Sequence, residues 1–230
     1  MQFLKDILYL FYPKICVTCK NNLLENEKTI CTFCRHDLPI LCYKNVYENE
    51  IINIFKGRVP VEKATAFLIF RKISKTKTLI HELKYKNNEE IGVFIGNWFG
   101  KILKNSNQFN DIDYIVPVPL HPKKLKKRGY NQLTKFGECL SNELEVTYMP
   151  SVLFRVSDTQ TQTYKHRFER FLNANTKFSL TNTTVFNNKH ILLIDDVITT
   201  GATIEACCKE LLKTPNIKIS IATMAYTEKL

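Results

Sequence analysis

A chain of 230 residues with 44% hydrophobic content can build one medium domain with a small appendage, which excludes a disordered or fibrous protein. Its formal net charge of +11, from 33 basic against 22 acidic side chains, favours polyanionic partners such as nucleic acid or phosphorylated substrates. No stretch approaches the roughly 20 apolar residues of a membrane span, so no stable membrane insertion and a cytoplasmic protein are expected.

In chain order, residues 1–15 carry apolar side chains at Phe3, Leu4, Ile7, Leu8 and Phe11, a helical spacing that stops at Pro13. This reads as a short amphipathic helix packed on the main body. It lacks a basic leader and a small-residue cleavage site, which argues against a secretory signal. Two tandem C-x-x-C knuckles follow, Cys16 with Cys19 and Cys31 with Cys34, separated by eleven residues. That spacing lets four sulfurs meet around one structural zinc and leaves no open position for catalysis. Disulfide or redox use competes, but nothing points to an oxidising compartment. Cys42, Cys139, Cys207 and Cys208 lack partner spacing and read as core residues. His36 is expected at the surface or behind the metal ligands. The metal module is placed at 1–50 and the main domain at 51–230.

Within the main domain, 64–71 predicts a strand, 75–85 and 89–103 helices, 112–120 a strand, and a helix begins at Arg128 or Asn131 and ends at Glu143. Strands at 152–156, 191–195 and 217–226 complete the set, with a helix over 202–213. Strands alternating with helices imply an α/β fold with a mostly parallel, doubly wound sheet. Gly92, Gly96 and Gly100 form a small-x-x-x-small series in a segment too short for a bilayer, so close packing of a helix is its expected use.

The proline-shaped strand end Val116-Pro117-Val118-Pro119-Leu120 leads into His121 and a run from Lys123 to Arg128 in which five of six residues are cationic. It reads as an anion cradle or as a solvated charge run before a helix. His121 is either a general acid or a cap. A second polar, cationic segment holds Arg155, Gln160, Arg167 and Arg170, and reads as a lid over phosphate or a surface loop.

The most specific run is Ile191 to Thr203. Four branched aliphatic residues mark a central strand covered on both faces, and ligands of open α/β sheets bind where such strands end. Asp195 and Asp196 suit vicinal ribose hydroxyls or magnesium. Gly201 lets Thr199, Thr200, Gly201, Ala202 and Thr203 turn back so that amides and a helix N-terminus face one anion. There is no G-x-x-x-x-G-K-[ST] motif, which argues against a nucleotide triphosphatase.

This run resembles the 5-phosphoribosyl 1-pyrophosphate (PRPP) signature of type I phosphoribosyltransferases. The resemblance implies that Asp195 and Asp196 contact the ribose hydroxyls and that Thr199 to Thr203 hold the 5′-phosphate. The tandem knuckles, the Val-Pro-Val-Pro-Leu turn, the sequence from Arg128 to Gln132, the arginines at 155 and 167 and the terminal signature together are similar to the ComF competence-protein family, over nearly the whole chain. That similarity implies an N-terminal zinc ribbon, a phosphoribosyltransferase-type sheet and a role in DNA uptake during natural transformation. The basic run at Lys123 to Lys127 has lysines where relatives often carry arginines, which weakens the case for bidentate phosphate contacts there.

The readings that follow are a phosphoribosyltransferase and a binding protein that keeps the sugar-phosphate pocket for single-stranded DNA, with an inert adaptor as a third. The first takes magnesium-PRPP, with pyrophosphate facing Leu120, His121, Lys123 and Arg167 and no side-chain nucleophile. DNA-uptake proteins are the expected further partners.

Overall fold

The structure is a computed structural model describing residues 13–41, 45–155, 178–181 and 183–228. The sheet has strand order β1-β7-β6-β2-β3 with every pair parallel: β1 is Ala64–Phe70, β2 Tyr114–Pro117, β3 Thr147–Tyr148, β6 His190–Ile198 and β7 Lys218–Thr227. Ile191, Leu192, Leu193 and Ile194 of β6 are fully buried, as a central parallel strand covered on both faces requires. Two short strands, β4 (Leu153–Arg155) and β5 (Phe178–Leu180), pair antiparallel apart from this sheet.

The helices are α1 (Thr32–His36), α2 (Glu50–Phe55), α3 (Lys75–Tyr85), α4 (Glu90–Ser106), α5 (Pro122–Arg128), α6 (Thr134–Leu144) and α7 (Ala202–Leu211). Right-handed crossovers fix their faces. The steps from β1 to β2, through α3 and α4, and from β2 to β3, through α5 and α6, advance across the sheet in one direction. The step from β6 to β7, through α7, runs the other way and puts α7 on the opposite face. The direction reverses between β2 and β6, and in such sheets that is where a ligand crevice opens.

The outer layer is built by ring and glycine packing. Phe67 of β1 meets Phe99 of α4 at 5.5 Å, and Phe99 lies parallel to Phe136 of α6 at 6.4 Å between centroids. The Gly92, Gly96 and Gly100 series serves the helix contact expected of it. A Cβ on Gly96 would fall 2.6 Å from Cys139 Cβ, and one on Gly100 would fall 2.8 Å from Glu143 Cβ. Neither neighbour is the free end of a flexible chain. Gly96→Ala is expected to cost about 1–3 kcal/mol through forced separation of α4 and α6, even though alanine is the better helix former by about 1 kcal/mol. Urea unfolding measures this, and a variant as stable as the parent would contradict the packing.

Several boundaries differ from expectation. Strand β2 ends at Pro117 rather than 120, and the Val118 amide makes its last bond to β6, on the Ile194 carbonyl at 2.8 Å. Strand β6 runs to Ile198 rather than 195, so both acids lie inside it. The basic run forms its own helix, α5, with Pro122 at its first position and Gly129 at φ +79° closing it. The N-terminal amphipathic stretch to residue 12, Cys42, and the segment bearing Gln160, Arg167 and Arg170 lie outside the described residues. Arg155 closes β4. Among the described residues no helix is long and apolar enough to cross a membrane.

The cysteine module joins the sheet directly. The Leu41 amide donates to the Phe67 carbonyl at 2.8 Å and the Ile69 amide to the Pro39 carbonyl at 2.9 Å, so residues 39–41 run beside β1. Helix α2 begins at Glu50, and Asn49 caps it by accepting from the amides of Ile51 and Ile52.

Candidate functional site

The carboxyl ends of β2 and β6 lie side by side, with Pro117 opposite Ile194. Sequence-distant segments therefore meet there: Leu120 and His121 beyond β2, and Asp195 to Thr203, which begin in the last part of β6 and end in α7.

Successive strand residues point to opposite faces, which separates the two acids. Asp196 is buried and faces α3 and the link before α6. Lys84 Nζ donates to its Oδ1 at 2.6 Å and Gln132 Nε2 to its Oδ2 at 2.6 Å. Gln132 is in turn held by Arg128, whose Nη1 donates to its Oε1 at 2.6 Å. The Arg128 guanidinium lies 5.2 Å over the Tyr85 ring, and the Tyr130 hydroxyl donates to the Leu83 carbonyl. The segment from Arg128 to Gln132 thus clamps the end of α3 onto the acid.

Asp195 takes the other face, toward α7, where its charge raises the pKa of the buried Cys207 thiol in addition to burial. Its Oδ1 accepts from the Asp196 amide at 2.8 Å. Burial first, and then the neighbouring Asp196 charge, push the Asp195 carboxyl up to about 8. At neutral pH the pair therefore combines a protonated Asp195 with an Asp196 tied to a lysine. The two carboxylates do not stand side by side.

Beyond Ile198 the chain turns at Gly201, φ +74°, into α7. Thr199, Thr200, Ala202 and Thr203 are exposed and Gly201 is buried. The first amides of α7 have no intrahelical partner, so an open, positively polarised cup faces solvent between the threonines. A Cβ on Gly201 would fall 2.7 Å from Ile54 Cγ2 and 2.9 Å from Phe55 Cε1, so α2 forms the back wall of this turn.

Of the residues expected around pyrophosphate, His121 caps α5: its Nδ1 accepts from the Lys123 amide at 3.1 Å. This supports the cap over the general acid. Lys123 lies on the exposed face of α5, with Lys124, Lys126 and Lys127 also exposed. The basic run is therefore a projecting helix rather than a folded cradle. Arg167 lies outside the described residues. Lys84 was not foreseen. Its signal was its place four residues after Ile80 and eight after Thr76, in line with the buried stripe of α3, where a lysine needs a partner.

In the cysteine module the sulfurs of Cys16, Cys19, Cys31 and Cys34 all lie within 4.8 Å of one another. The Cys19 to Cys31 separation of 3.7 Å matches the edge of about 3.8 Å in a tetrahedron with metal–sulfur bonds near 2.3 Å. Burial opposes a Cys16 thiolate, yet the amides of Cys19, Cys31 and Thr18 and the Thr18 hydroxyl bring its pKa down to about 6. Closed four-sulfur geometry of this kind fits a structural metal. His36 is exposed, while Cys207 and Cys208 are buried core residues.

A parallel sheet whose crossover direction reverses beside an acidic strand end and a Thr-Gly-Ala-Thr turn defines a phosphoribosyltransferase-type domain. The phosphoribosyl transferase domain family matches residues 130–229. The chain is 27% identical over 218 residues to Competence protein F of Haemophilus influenzae, spanning 88% of this chain and 93% of that protein. It is 25% identical over 219 residues to Competence protein ComFC of Bacillus subtilis, spanning 92% and 86%. DNA utilization protein YhgH of Escherichia coli is 26% identical over 152 residues, 65% of this chain and 66% of that protein. The chain is a homologue of Competence protein F and ComFC, and it carries a phosphoribosyl transferase domain.

Proposed function

We propose that this protein binds magnesium-PRPP, or a related ribose phosphate, at the β2/β6 crevice and acts in DNA uptake, with its four cysteines holding a structural zinc. The observation that carries the reading is the exposed turn from Thr199 to Thr203 on the N-terminus of α7, set directly beyond Asp195 and Asp196. The role in DNA uptake rests on the names of the relatives.

In this reading the amides of the turn and the hydroxyls of Thr199, Thr200 and Thr203 hold the 5′-phosphate. Asp195, carrying a proton below about pH 8, offers both an oxygen and an O–H to ribose hydroxyls. Asp196 keeps Lys84 at the same strand end, where its ammonium meets the negative charge that collects on departing pyrophosphate. Magnesium, carried by the pyrophosphate, would supply further charge neutralisation. Phosphoribosyl transfer to an acceptor is the chemistry this reading would support, with Asp195 and Asp196 the residues that would touch the reacting sugar or support the group that does.

Isothermal titration with magnesium-PRPP tests the reading. Saturable binding in the micromolar range is expected, weakened tenfold or more by Asp195→Ala, which is about 1.4 kcal/mol. Undetectable binding by the intact protein at millimolar PRPP would remove it.

The exposed lysines of α5 favour a second reading, single-strand binding with the pocket retained. Affinity for an oligonucleotide would then fall steeply with salt and ignore Asp195→Ala.

A further inference from the structure

Arg58 lies in the turn after α2 and reaches across to the phosphate turn, 142 residues away in sequence. Its Nη1 donates to the Thr200 carbonyl at 3.0 Å and to the Ile54 carbonyl at 3.0 Å, and its Nη2 pairs with Glu205 in the first turn of α7. Gly57, φ +75°, directs the chain so that the guanidinium arrives from the α2 side.

We propose that Arg58 is the positioning residue of the phosphate turn: by holding the Thr200 carbonyl it fixes the Gly201 amide toward an incoming phosphate. The inference rests on the reading of this turn as a phosphate site. Its first physical basis is the planarity of the peptide bond. In a trans peptide the carbonyl oxygen and the following N–H point to opposite edges of the plane. With the Thr200 oxygen held by Arg58 on the α2 side, the Gly201 N–H must point away from α2, toward the open side of the turn.

Residue 201 is also the one place where this direction is easily lost. Glycine tolerates either orientation of the preceding peptide, so its own backbone does not choose. Side chains at 201 cannot choose either, because Ile54 and Phe55 fill the space a Cβ would need. Only an external hydrogen bond sets the direction, and Arg58 supplies it.

The second basis is charge. Glu205 stands in the first turn of α7, where its carboxylate would repel a phosphate bound at the same helix end. The Arg58 guanidinium pairs with it, and Lys209 Nζ does so from the following turn at 2.6 Å. Arg58 therefore orients a donor and offsets an opposing charge in one contact. A lysine could do the second but not the forked first.

The chain has seven glycines, so a protein labelled with 15N-glycine gives few enough amide signals to follow Gly201 directly. Ribose 5-phosphate is the probe. In the parent protein, saturating probe is expected to move the Gly201 amide proton downfield. In Arg58→Met that shift is expected to disappear and the dissociation constant to rise tenfold or more, while the other six glycine signals stay dispersed. Arg58→Lys is expected to fold and to bind roughly three- to tenfold more weakly than the parent. Parent-like affinity and a parent-like Gly201 shift in Arg58→Met overturn the inference and leave the phosphate reading intact. If Arg58→Met does not fold, parent-like binding by Arg58→Lys overturns it instead. A parent protein in which no glycine responds to ribose 5-phosphate overturns the phosphate reading itself.

Discussion

Asp195→Asn is expected to raise the thermal midpoint of this protein, whereas the same change at the next residue, Asp196→Asn, is expected to lower it. The two acids are neighbours in one strand, but their environments are opposite. Asp195 has a folded-state pKa pushed up to about 8 by burial and by the Asp196 charge, against an ordinary value of 3.8. A group whose folded pKa is raised contributes stability that is fully present below the unfolded value and is lost as pH rises through the folded one. The parent protein therefore loses stability between about pH 4 and pH 8 on account of this carboxyl. Asparagine does not titrate. The advantage of Asp195→Asn is expected to be near nil below about pH 4, to grow steadily as pH rises toward about 8, and to reach about 2 kcal/mol or more by pH 8.5, roughly 4–8 °C in a chain of this size. Asp196 behaves otherwise because both its oxygens are engaged, by Lys84 and by Gln132, in a pair whose side chains are 20% and 11% exposed. Neutralising it strands the Lys84 ammonium in a largely buried place, at an expected cost of about 2–3 kcal/mol. Lys84→Met should cost a similar amount, and the double variant should recover part of the loss, as coupled partners do. Calorimetry at pH 5 and pH 8.5 decides the matter. Midpoints that move in the same direction for both single substitutions would refute the assignment of a proton to one acid and a lysine to the other.

What could be read from the sequence was local. Strand β6 and the turn after it are legible because a run of branched aliphatics, two acids and a glycine between threonines each carry their meaning within a few residues. The glycine series in α4 was legible for the same reason. Lys84 was not singled out, because its partner Asp196 is 112 residues away and only the sheet brings them together. Arg58 was hidden in the same way. Helix α5 is a different kind of failure. Its signals were present, with Pro122 at the first position, His121 as cap and Gly129 after the end, yet a run of lysines offers no apolar period by which to recognise a helix. Helix α2 has only six residues, too few to show a period, and is set by the Asn49 cap and by packing behind Gly201. The separation of Asp195 from Asp196 follows from strand geometry alone once the strand is known to continue to Ile198. Ending it at 195 concealed that.

Removal of metal from the cysteine module is expected to produce the largest single loss of stability. The module from residue 16 to 37 buries few side chains of its own, chiefly Cys16, Val17, Leu23, Ile30, Cys31 and Cys34. Its contacts with the main domain are modest: Lys20 to Glu82 at 3.3 Å, Lys75 to Asp37 at 2.6 Å, and the Arg35 guanidinium 4.4 Å over the Trp98 ring. Exposed ion pairs of this kind contribute at most about 1 kcal/mol each. In the proposed reading, order in the loop comes from four sulfurs converging on one ion, as in small domains where metal binding and folding are one process. The intact protein is expected to carry one zinc per chain by elemental analysis. Strong chelation, or Cys34→Ser, should release it and lower the midpoint by about 10 °C or more, as a loss of roughly 5 kcal/mol implies. Trp98 is the sole tryptophan, and it reports the event directly: loss of Arg35 from its face should shift its emission to the red. The phosphate turn lies at the carboxyl end of β6, two strands in from the β1 edge where the module attaches. Ribose 5-phosphate binding should therefore outlast the change in Trp98 emission as chelator is added. A metal-free chain with unchanged Trp98 emission and an unchanged midpoint would show that the four sulfurs hold no structural ion.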